Sequence, residues 1–395
     1  MNKRCLVGLL VMAIAALAPG PASASSEATP VAWGLDSPRG IDFYHGKMLV
    51  AEAGHGGSEC ITPQPGFNIC AGDTSQVSWV NPTTGSHTPA VQGLMSVLLG
   101  TEAIGASGLS VHGGTVLVQI GLFSQELPFT VVQEMAGRLI SVNPNARTWR
   151  SVADVGARDF QFTLDLHVPE PTRGVYSPGT QEHDANPYGV LATGNGAYVA
   201  DAGSNTLDFV SRNGNIKILH YDGWRDPNPN NFPSDSVPTC VARSGDALWV
   251  GELSGRLLRI DEDGATVIVP KDNAGNPVLT HVTGCTTDRQ GNLYLVNMFG
   301  PGAAPHPGFP GDPTFFQGSV VKYNPDEGSA SVLAGNLFTP HMAAIGPDGN
   351  LYVTAGSICP ANVPMDDPSP CAGGGKVLRI NLPHEEDNNN DNHSG

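Results

Sequence analysis

The sequence has few basic residues. Only 20 of its 395 residues are Lys or Arg, against 37 Asp or Glu, which gives a formal net charge of −17. Binding to nucleic-acid phosphates requires a basic surface, so this balance disfavours a nucleic-acid partner. Charged residues are only 14% of the chain, fewer than helical proteins usually carry, whereas Gly (49) and Pro (33) are abundant. The composition therefore favours an all-β protein.

Long apolar runs are also missing. The run LVGLLVMAIAALA at positions 6–18 is too short for a membrane span, which needs about 20 residues. Lys3 and Arg4 precede it, and the small-x-small signature Ala22-Ser23-Ala24 follows. This order is typical of a cleaved signal peptide, here 1–24. We therefore expect an exported monomer, secreted or periplasmic, with no membrane insertion.

One ten-residue pattern occurs six times along the chain. Each copy has a Gly-containing turn, a run of apolar, β-branched and aromatic residues, and then a polar or small residue, which is typical of a strand. The copies are GKMLVAEAGH (46–55), GGTVLVQIGL (113–122), GAYVADAGSN (196–205), GDALWVGELS (245–254), GNLYLVNMFG (291–300) and GNLYVTAGS (349–357). Strand-like segments flank each copy, so the repeat is predicted to be four short antiparallel strands, one blade of a β-propeller.

The number of copies predicts six blades in one domain, residues 30–382. The sixth copy stops after its third strand, and PVAWGL (30–35) resembles the fourth strands of the other copies. We therefore expect the N-terminal strand to complete the last blade and close the ring, which leaves no exposed sheet edge. The polar tail 384–395 is predicted to be disordered.

The repeats resemble NHL-type propellers, and the chain is most similar to the ScyD/ScyE family of exported proteins. The segments that carry the resemblance are SPRGIDFYHGKMLVAEAG, GDTSQVSWVNPTTG, ASGLSVHG, DANPYGVLATGNGAYVADAGSN and SVPTCVARSGDALWVGELSG. The resemblance implies an exported six-bladed propeller. It implies no settled activity, because the family name refers to pigment gene clusters and not to a substrate.

Six cysteines remain after removal of the signal peptide. An even number in an exported protein predicts disulfides. Cys60 and Cys70 enclose one Pro/Gly-rich insertion, and Cys359 and Cys371 enclose another, so each pair is predicted to close a loop. Cys240 and Cys285 occupy matching first strands of blades four and five. They are either a disulfide between blades or two buried free thiols.

A polar residue follows the second strand of most blades. The six equivalent residues are Glu52, Gln119, Asp201, Glu252, Asn297 and Ala355. In a propeller these positions recur around one face, and carboxylate and amide oxygens suit Ca²⁺. The sequence therefore predicts a possible metal site at Glu52, Asp201, Glu252 and Asn297. The alternative is that each side chain caps its own turn by accepting backbone N–H groups.

A second ring of candidates lies where each first strand begins. Its residues are Arg39, Ser107, Tyr188, Thr239, Gly284 and His341. First strands line the central channel, so Arg39 is a candidate for binding an anion. Tyr188 and His341 are candidates for acid–base or stacking roles, and Gln119 is added as a candidate ligand from the polar ring. The alternative for Arg39 is an ion pair with Glu52.

Three classes of function fit these patterns. The main interpretation is a non-enzymatic module that binds a small molecule, glycan or protein at the insertion-rich channel mouth. The alternative is a metal-dependent enzyme, with a Ca²⁺-like ion, of the hydrolase or lactonase type or acting in oxidative tailoring of a secondary metabolite. The third is a purely structural envelope component. No GxSxG, HExxH or P-loop motif decides among them.

The cleavage signature predicts where the mature chain begins. Expression with export should yield a protein that starts at Ser25, because the small residues at 22 and 24 fit the peptidase pocket. Intact mass and N-terminal sequencing of the exported protein would measure this. A product that retains 1–24 would contradict the prediction.

Overall fold

The computed structural model is built almost entirely from antiparallel β-sheets. It describes residues 26–64, 66–123, 127–171, 179–223, 235–301 and 311–383. The predicted signal peptide and the predicted disordered tail lie outside these residues. The strands are numbered in chain order, beginning with β1 (Ala28–Leu35).

The first three blades follow one another along the chain. Blade 1 contains β2 (Pro38–Tyr44), β3 (Lys47–Glu52), β4 (Glu59–Gln64), β5 (Phe67–Val80), β6 (His87–Leu99) and β7 (Glu102–Ile104). Blade 2 contains β8 (Ala106–His112), β9 (Thr115–Ile120), β10 (Arg138–Asn143) and β11 (Thr148–Asp154). Blade 3 contains β12 (Pro187–Thr193), β13 (Gly196–Asp201), β14 (Thr206–Ser211) and β15 (Ile216–Tyr221).

The other three blades have the same order, and the last one uses both ends of the described chain. Blade 4 contains β16 (Pro238–Ser244), β17 (Ala247–Glu252), β18 (Leu257–Asp261) and β19 (Gly264–Ile268). Blade 5 contains β20 (His281–Thr287), β21 (Leu293–Phe299), β22 (Gln317–Asn324) and β23 (Ser329–Phe338). Blade 6 contains β24 (Ala343–Ile345), β25 (Leu351–Ala355), β26 (Gly375–Ile380) and β1, which pairs with β26.

The core lies between blades. Each pair of neighbouring blades shares a cluster of buried apolar side chains, including the pair formed by blades 6 and 1. The innermost strands contact each other in the order β2, β8, β12, β16, β20, β24 and again β2. This approach requires glycine: a Cβ on Gly40 would lie 2.6 Å from the backbone N of Leu109, and one on Gly108 would lie 2.6 Å from the carbonyl oxygen of Tyr188.

The register of the sheets places the starts of the first strands and the ends of the second strands on one common face. The start of each first strand pairs with the end of the second, as in Pro38–Glu52, Pro187–Asp201 and Pro238–Glu252. We call this end of the blades the mouth face. The insertions that follow second strands or precede first strands therefore leave the blades at the mouth face.

The insertions contain structure that the sequence analysis left unassigned. Strand β4 and the long ends of β5 and β6 extend blade 1 at the mouth face. Two α-helices, α1 (Thr130–Met135) and α2 (Val155–Asp165), and a 3₁₀ helix (Pro313–Phe316) lie in other insertions. Asp154 caps α2 by accepting from the backbone N–H of Ala157 over 3.1 Å.

All three predicted cysteine pairs form disulfides. Cys60–Cys70 and Cys359–Cys371 close loops of the mouth-face insertions. Cys240–Cys285 joins the first strands of blades 4 and 5, with Cα atoms 5.7 Å apart. The alternative of two free thiols at the last pair is therefore wrong. The three disulfides indicate an extracellular or periplasmic protein.

No helix within the described ranges is both long and apolar enough to cross a membrane.

The disulfide between blades should contribute more stability than a loop disulfide. Cys240–Cys285 closes 45 residues and Cys359–Cys371 closes 12, so the chain-entropy model gives losses of about 4 and about 3 kcal/mol when each pair is replaced by Ala. Urea unfolding of C240A/C285A and C359A/C371A would measure both. A smaller loss in C240A/C285A than in C359A/C371A would contradict this ranking.

Candidate functional site

Side chains from three blades meet at the mouth end of the innermost strands. Arg39 and Tyr188 are the second residues of β2 and β12, and His341 lies just before β24. Nη1 of Arg39 donates to the Tyr188 hydroxyl and to His341 Nε2, each over 2.9 Å. The Tyr188 hydroxyl also hydrogen-bonds to His341 Nε2. The structure thus brings together three residues that the sequence predicted as separate members of one ring.

The hydrogen bonds fix the protonation of this cluster. His341 Nε2 accepts from two neighbours, so its proton resides on Nδ1, which has no hydrogen-bond partner among the described residues. Burial, and then the charge of Arg39, hold the pKa of His341 well below its usual value. Burial raises the pKa of Tyr188, and Arg39 opposes that rise. At neutral pH a phenol therefore faces a neutral imidazole.

Arg39 is a buried cation with a single carboxylate partner. The side chain of Arg39 is 2% exposed, and its Nη2 contacts Glu102 Oε1 over 3.3 Å, while Glu102 itself is 51% exposed. Nη2 also donates to the carbonyl oxygen of Ala103 over 2.7 Å. The expected ion pair between Arg39 and Glu52 is wrong, because blade 1 supplies Glu102 from β7 instead. No local sequence pattern marks Glu102.

Buried threonines position the backbone of this cluster. Thr354 Oγ1 donates to the carbonyl oxygen of Arg39 over 2.6 Å, and the His341 N–H donates to the Thr354 carbonyl oxygen over 2.9 Å. Thr283 Oγ1 donates to the carbonyl oxygen of His341 over 2.9 Å. Thr283 follows Val282, the partner of Asn297, as Arg39 follows Pro38, the partner of Glu52, so Thr283 and not Gly284 is the ring member of blade 5. The sequence alignment of the ring was one residue off in blade 5.

The other two ring members bond to the backbone. Ser107 Oγ donates to the carbonyl oxygen of Gly105 over 3.2 Å, and Thr239 Oγ1 donates to that of Val282 over 2.6 Å. Both side chains are buried. Thr239 therefore joins the inner strands of blades 4 and 5, whereas Ser107 makes a local contact, and neither residue hydrogen-bonds to the Arg39 cluster.

The polar residues that end the second strands make local contacts. Glu52 accepts from the backbone N–H of Asp36 over 2.6 Å and from two side chains of blade 1. Asp201 Oδ1 accepts from the backbone N–H groups of Asn186, Gly203 and Ser204 over 2.8 to 3.0 Å. These are the hydrogen bonds that cap turns.

The remaining three members also make local contacts, but of different kinds. Glu252 Oε2 accepts from Arg256 Nε over 2.7 Å in a buried ion pair. Asn297 Oδ1 accepts from the Thr280 N–H over 3.0 Å. Gln119 Nε2 donates to the carbonyl oxygen of Ile120 over 2.9 Å, and its Oε1 is buried without a partner among the described residues.

These contacts do not fit a shared metal ion. Ca²⁺ needs six to eight oxygens around one centre, yet Glu52, Asp201, Glu252 and Asn297 each direct oxygens to donors nearby. Among the described residues, no group of three or more His, Cys, Asp or Glu side chains is arranged to hold a metal. Calcium binding by these four residues stays a prediction, and no chemical step below depends on it.

Asp201 also belongs to a cluster of three carboxyl groups that are buried against each other behind the mouth face. Asp159 of α2 interacts with Asp201 and Asp208, and all three are fully buried. Thr206 Oγ1 donates to Asp208 over 3.0 Å. Burial raises the pKa of each carboxyl group, that of Asp208 to about 7. Burial and the proximity of the three groups therefore favour a protonated form within this cluster.

Comparison with solved structures identifies a β-propeller. Regucalcin from Agrobacterium tumefaciens, described as a calcium-binding protein, is 12% identical and aligns with a TM-score of 0.50 over 90% of this chain and 94% of its own. A gluconolactonase-like protein has 12% identity, a TM-score of 0.47, and coverages of 92% and 96%. Virginiamycin B lyase from Staphylococcus aureus has 14% identity, a TM-score of 0.43, and coverages of 90% and 99%.

These likenesses concern the fold alone. No family model and no curated protein sequence matches the chain.

The buried carboxyl groups predict a specific pH dependence. Asp208 has a pKa of about 7 in the folded protein and an ordinary value of 3.8, so the folded state holds the proton more tightly. Stability from this group is therefore lost as the pH rises from about 4 to about 7.

The variant Asp208→Asn stays neutral and should lose this slope. Its unfolding free energy relative to the parent should rise between pH 5 and pH 8, by ~2.7 kcal/mol at most, because Asp208 titrates over two pH units of this range and Asp159 and Asp201 share the titration. Urea unfolding at both pH values would measure the difference. Asp263→Asn, at an exposed turn, is the control, and an equal pH response in both variants would contradict the prediction.

Proposed function

We propose that this protein is an exported propeller enzyme that hydrolyses an ester or lactone at the mouth face. The observation that carries the proposal is the convergence of Arg39, Tyr188 and His341 from three blades into one hydrogen-bonded cluster. A cation, a phenol and a neutral imidazole in mutual contact supply both charge stabilisation and proton transfer. Structural or turn-capping roles do not require these three residue types together.

The chemistry follows from the donor pattern. Tyr188 is partly exposed and His341 is fully buried behind it, so Tyr188 is the group that contacts the substrate. As water adds to the carbonyl carbon, the Tyr188 hydroxyl gives its proton to the carbonyl oxygen, and the Tyr188 oxygen takes a proton from the water. Arg39 stabilises the negative charge that develops on the Tyr188 oxygen, and neutral His341 positions the phenol. When the C–O bond breaks, the Tyr188 hydroxyl gives a proton to the departing alkoxide and takes back the proton of the former carbonyl oxygen.

Several features support the wider assignment. Pairing of β1 with β26 and the apolar cluster shared by blades 6 and 1 support a ring closed by the N-terminal strand. The disulfides support export after cleavage of 1–24. The quoted segments support ScyD/ScyE-type membership, which we also propose.

A second candidate function is capture of an anionic small molecule without turnover. The observation that favours it is Nε of Arg39, which is buried and has no partner among the described residues. A carboxylate of a ligand would complete the donor fork of Arg39. The experiment described next separates capture of an anion from hydrolysis.

Tyr188→Phe tests the enzyme proposal. With a panel of aliphatic lactones and p-nitrophenyl esters, loss of the phenolic proton should lower kcat by at least about 100-fold with a smaller change in KM. Tyr198→Phe is the matched control, since Tyr198 packs on Phe209 away from the cluster. Unchanged kcat in Tyr188→Phe would refute the assignment, and no turnover by the parent, with thermal stabilisation by carboxylates, would favour the binding module.

A further inference from the structure

A cavity lies on the face of the propeller opposite the mouth face. It has a volume of about 440 Å³ and lies between blades 2 and 3. The hairpins that join β8 to β9 and β12 to β13 form its ends, at His112–Thr115 and Thr193–Gly196. Strands β10, β11 and β14 contribute the rest of the lining. None of the residues discussed for the mouth face belongs to it.

The floor of the cavity is apolar. Leu117, Leu139, Ala192, Ala197 and Val210 line it, and all five belong to the buried cluster between blades 2 and 3. This floor gives a ligand a compact apolar surface to cover. The polar lining residues lie at the ends of strands and in the turns.

The rim is basic. Arg150, Arg212 and His112 line the cavity, together with hydroxyl side chains such as Ser141 and Ser211. No Asp or Glu occurs among its described lining residues. Neither guanidinium makes an ion pair within the ranges that the structure describes. In a chain with 37 acidic and 20 basic residues, two unpaired arginines and a histidine around one cavity are not the expected surface.

The equivalent groove between blades 6 and 1 is different. It is lined by Lys47 and Asp348 of opposite charge and by Trp79, Phe43 and Tyr352. Lys47 lies over the ring of Trp79, 5.9 Å from its centre. The groove between blades 6 and 1 therefore lacks the basic rim that the groove between blades 2 and 3 has.

We propose that the cavity between blades 2 and 3 binds a tetrahedral oxyanion, a phosphate or sulfate group, carried by a small apolar body. Arginine presents a planar fork of donors that matches such oxygens. The Ser141 hydroxyl adds a neutral donor, whereas Ser211 Oγ already donates to Asn213, and the apolar floor accommodates the organic part. Free phosphate, an organic phosphate or sulfate ester and an anionic lipid headgroup share this chemistry. The site is independent of the acid–base cluster at the mouth face.

Calorimetric titration at constant ionic strength tests this site. The probes are inorganic phosphate, phenyl phosphate, phenyl sulfate and vesicles of phosphatidylglycerol in phosphatidylcholine. Phenyl phosphate or phenyl sulfate should bind the mature protein more tightly than inorganic phosphate, because only the esters cover the floor. Tightest binding to the vesicles would identify a headgroup as the source of the anion.

Variants connect the binding to the rim. R150Q/R212Q should weaken the Kd of the best probe by at least about tenfold, and R212Q alone should give a smaller loss. R289Q, which removes one charge, as R212Q does, but from the exposed turn between β20 and β21, should bind like the parent. No binding of any probe, or equal affinity in R150Q/R212Q and R289Q, would overturn the proposal. Esterase activity at the mouth face should be the same in all of these variants.

Discussion

The fold depends on the close approach of the innermost strands around the axis. Gly40 and Gly108 allow neighbouring strands to meet without side chains between them. Where blade 4 has Cys240 on its first strand, a disulfide to blade 5 takes over the role of holding the strands together. Because these strands are close, a side chain at the start of one strand reaches those of other blades. Arg39 and His341 can therefore share a hydrogen bond although 302 positions separate them.

Polar residues at the ends of the second strands already use oxygens in hydrogen bonds to nearby groups. Asp201 uses one oxygen to accept from two backbone N–H groups of its own turn and from that of Asn186, just before β12, and Glu252 is committed to Arg256. A buried carboxylate without such donors would carry a high cost of desolvation. Residues at equivalent positions therefore meet different local needs in different blades.

The two faces of the propeller present different chemistry. At the mouth face, insertions add a half-exposed carboxylate, Glu102, to a buried cation and a neutral imidazole. On the opposite face, short turns leave grooves between blades. The groove between blades 2 and 3 has Arg150 and Arg212 at its rim, and neither makes an ion pair within the described residues. The strongly negative net charge does not predict this basic rim, because binding responds to the local arrangement of charge and not to the sum over the chain.

The sequence by itself determined the six repeats, their second strands and the two loop disulfides, because each is set by a local pattern along the chain. It left Cys240 and Cys285 as either a disulfide or two free thiols, which only the structure decided. It also placed Arg39, Tyr188 and His341 at equivalent positions. Only the tertiary structure decided that these three touch, that Glu102 and not Glu52 is the partner of Arg39, and that Arg150 and Arg212 border one cavity. These facts depend on distances between blades, which are set by packing around the axis and leave no trace in any single repeat.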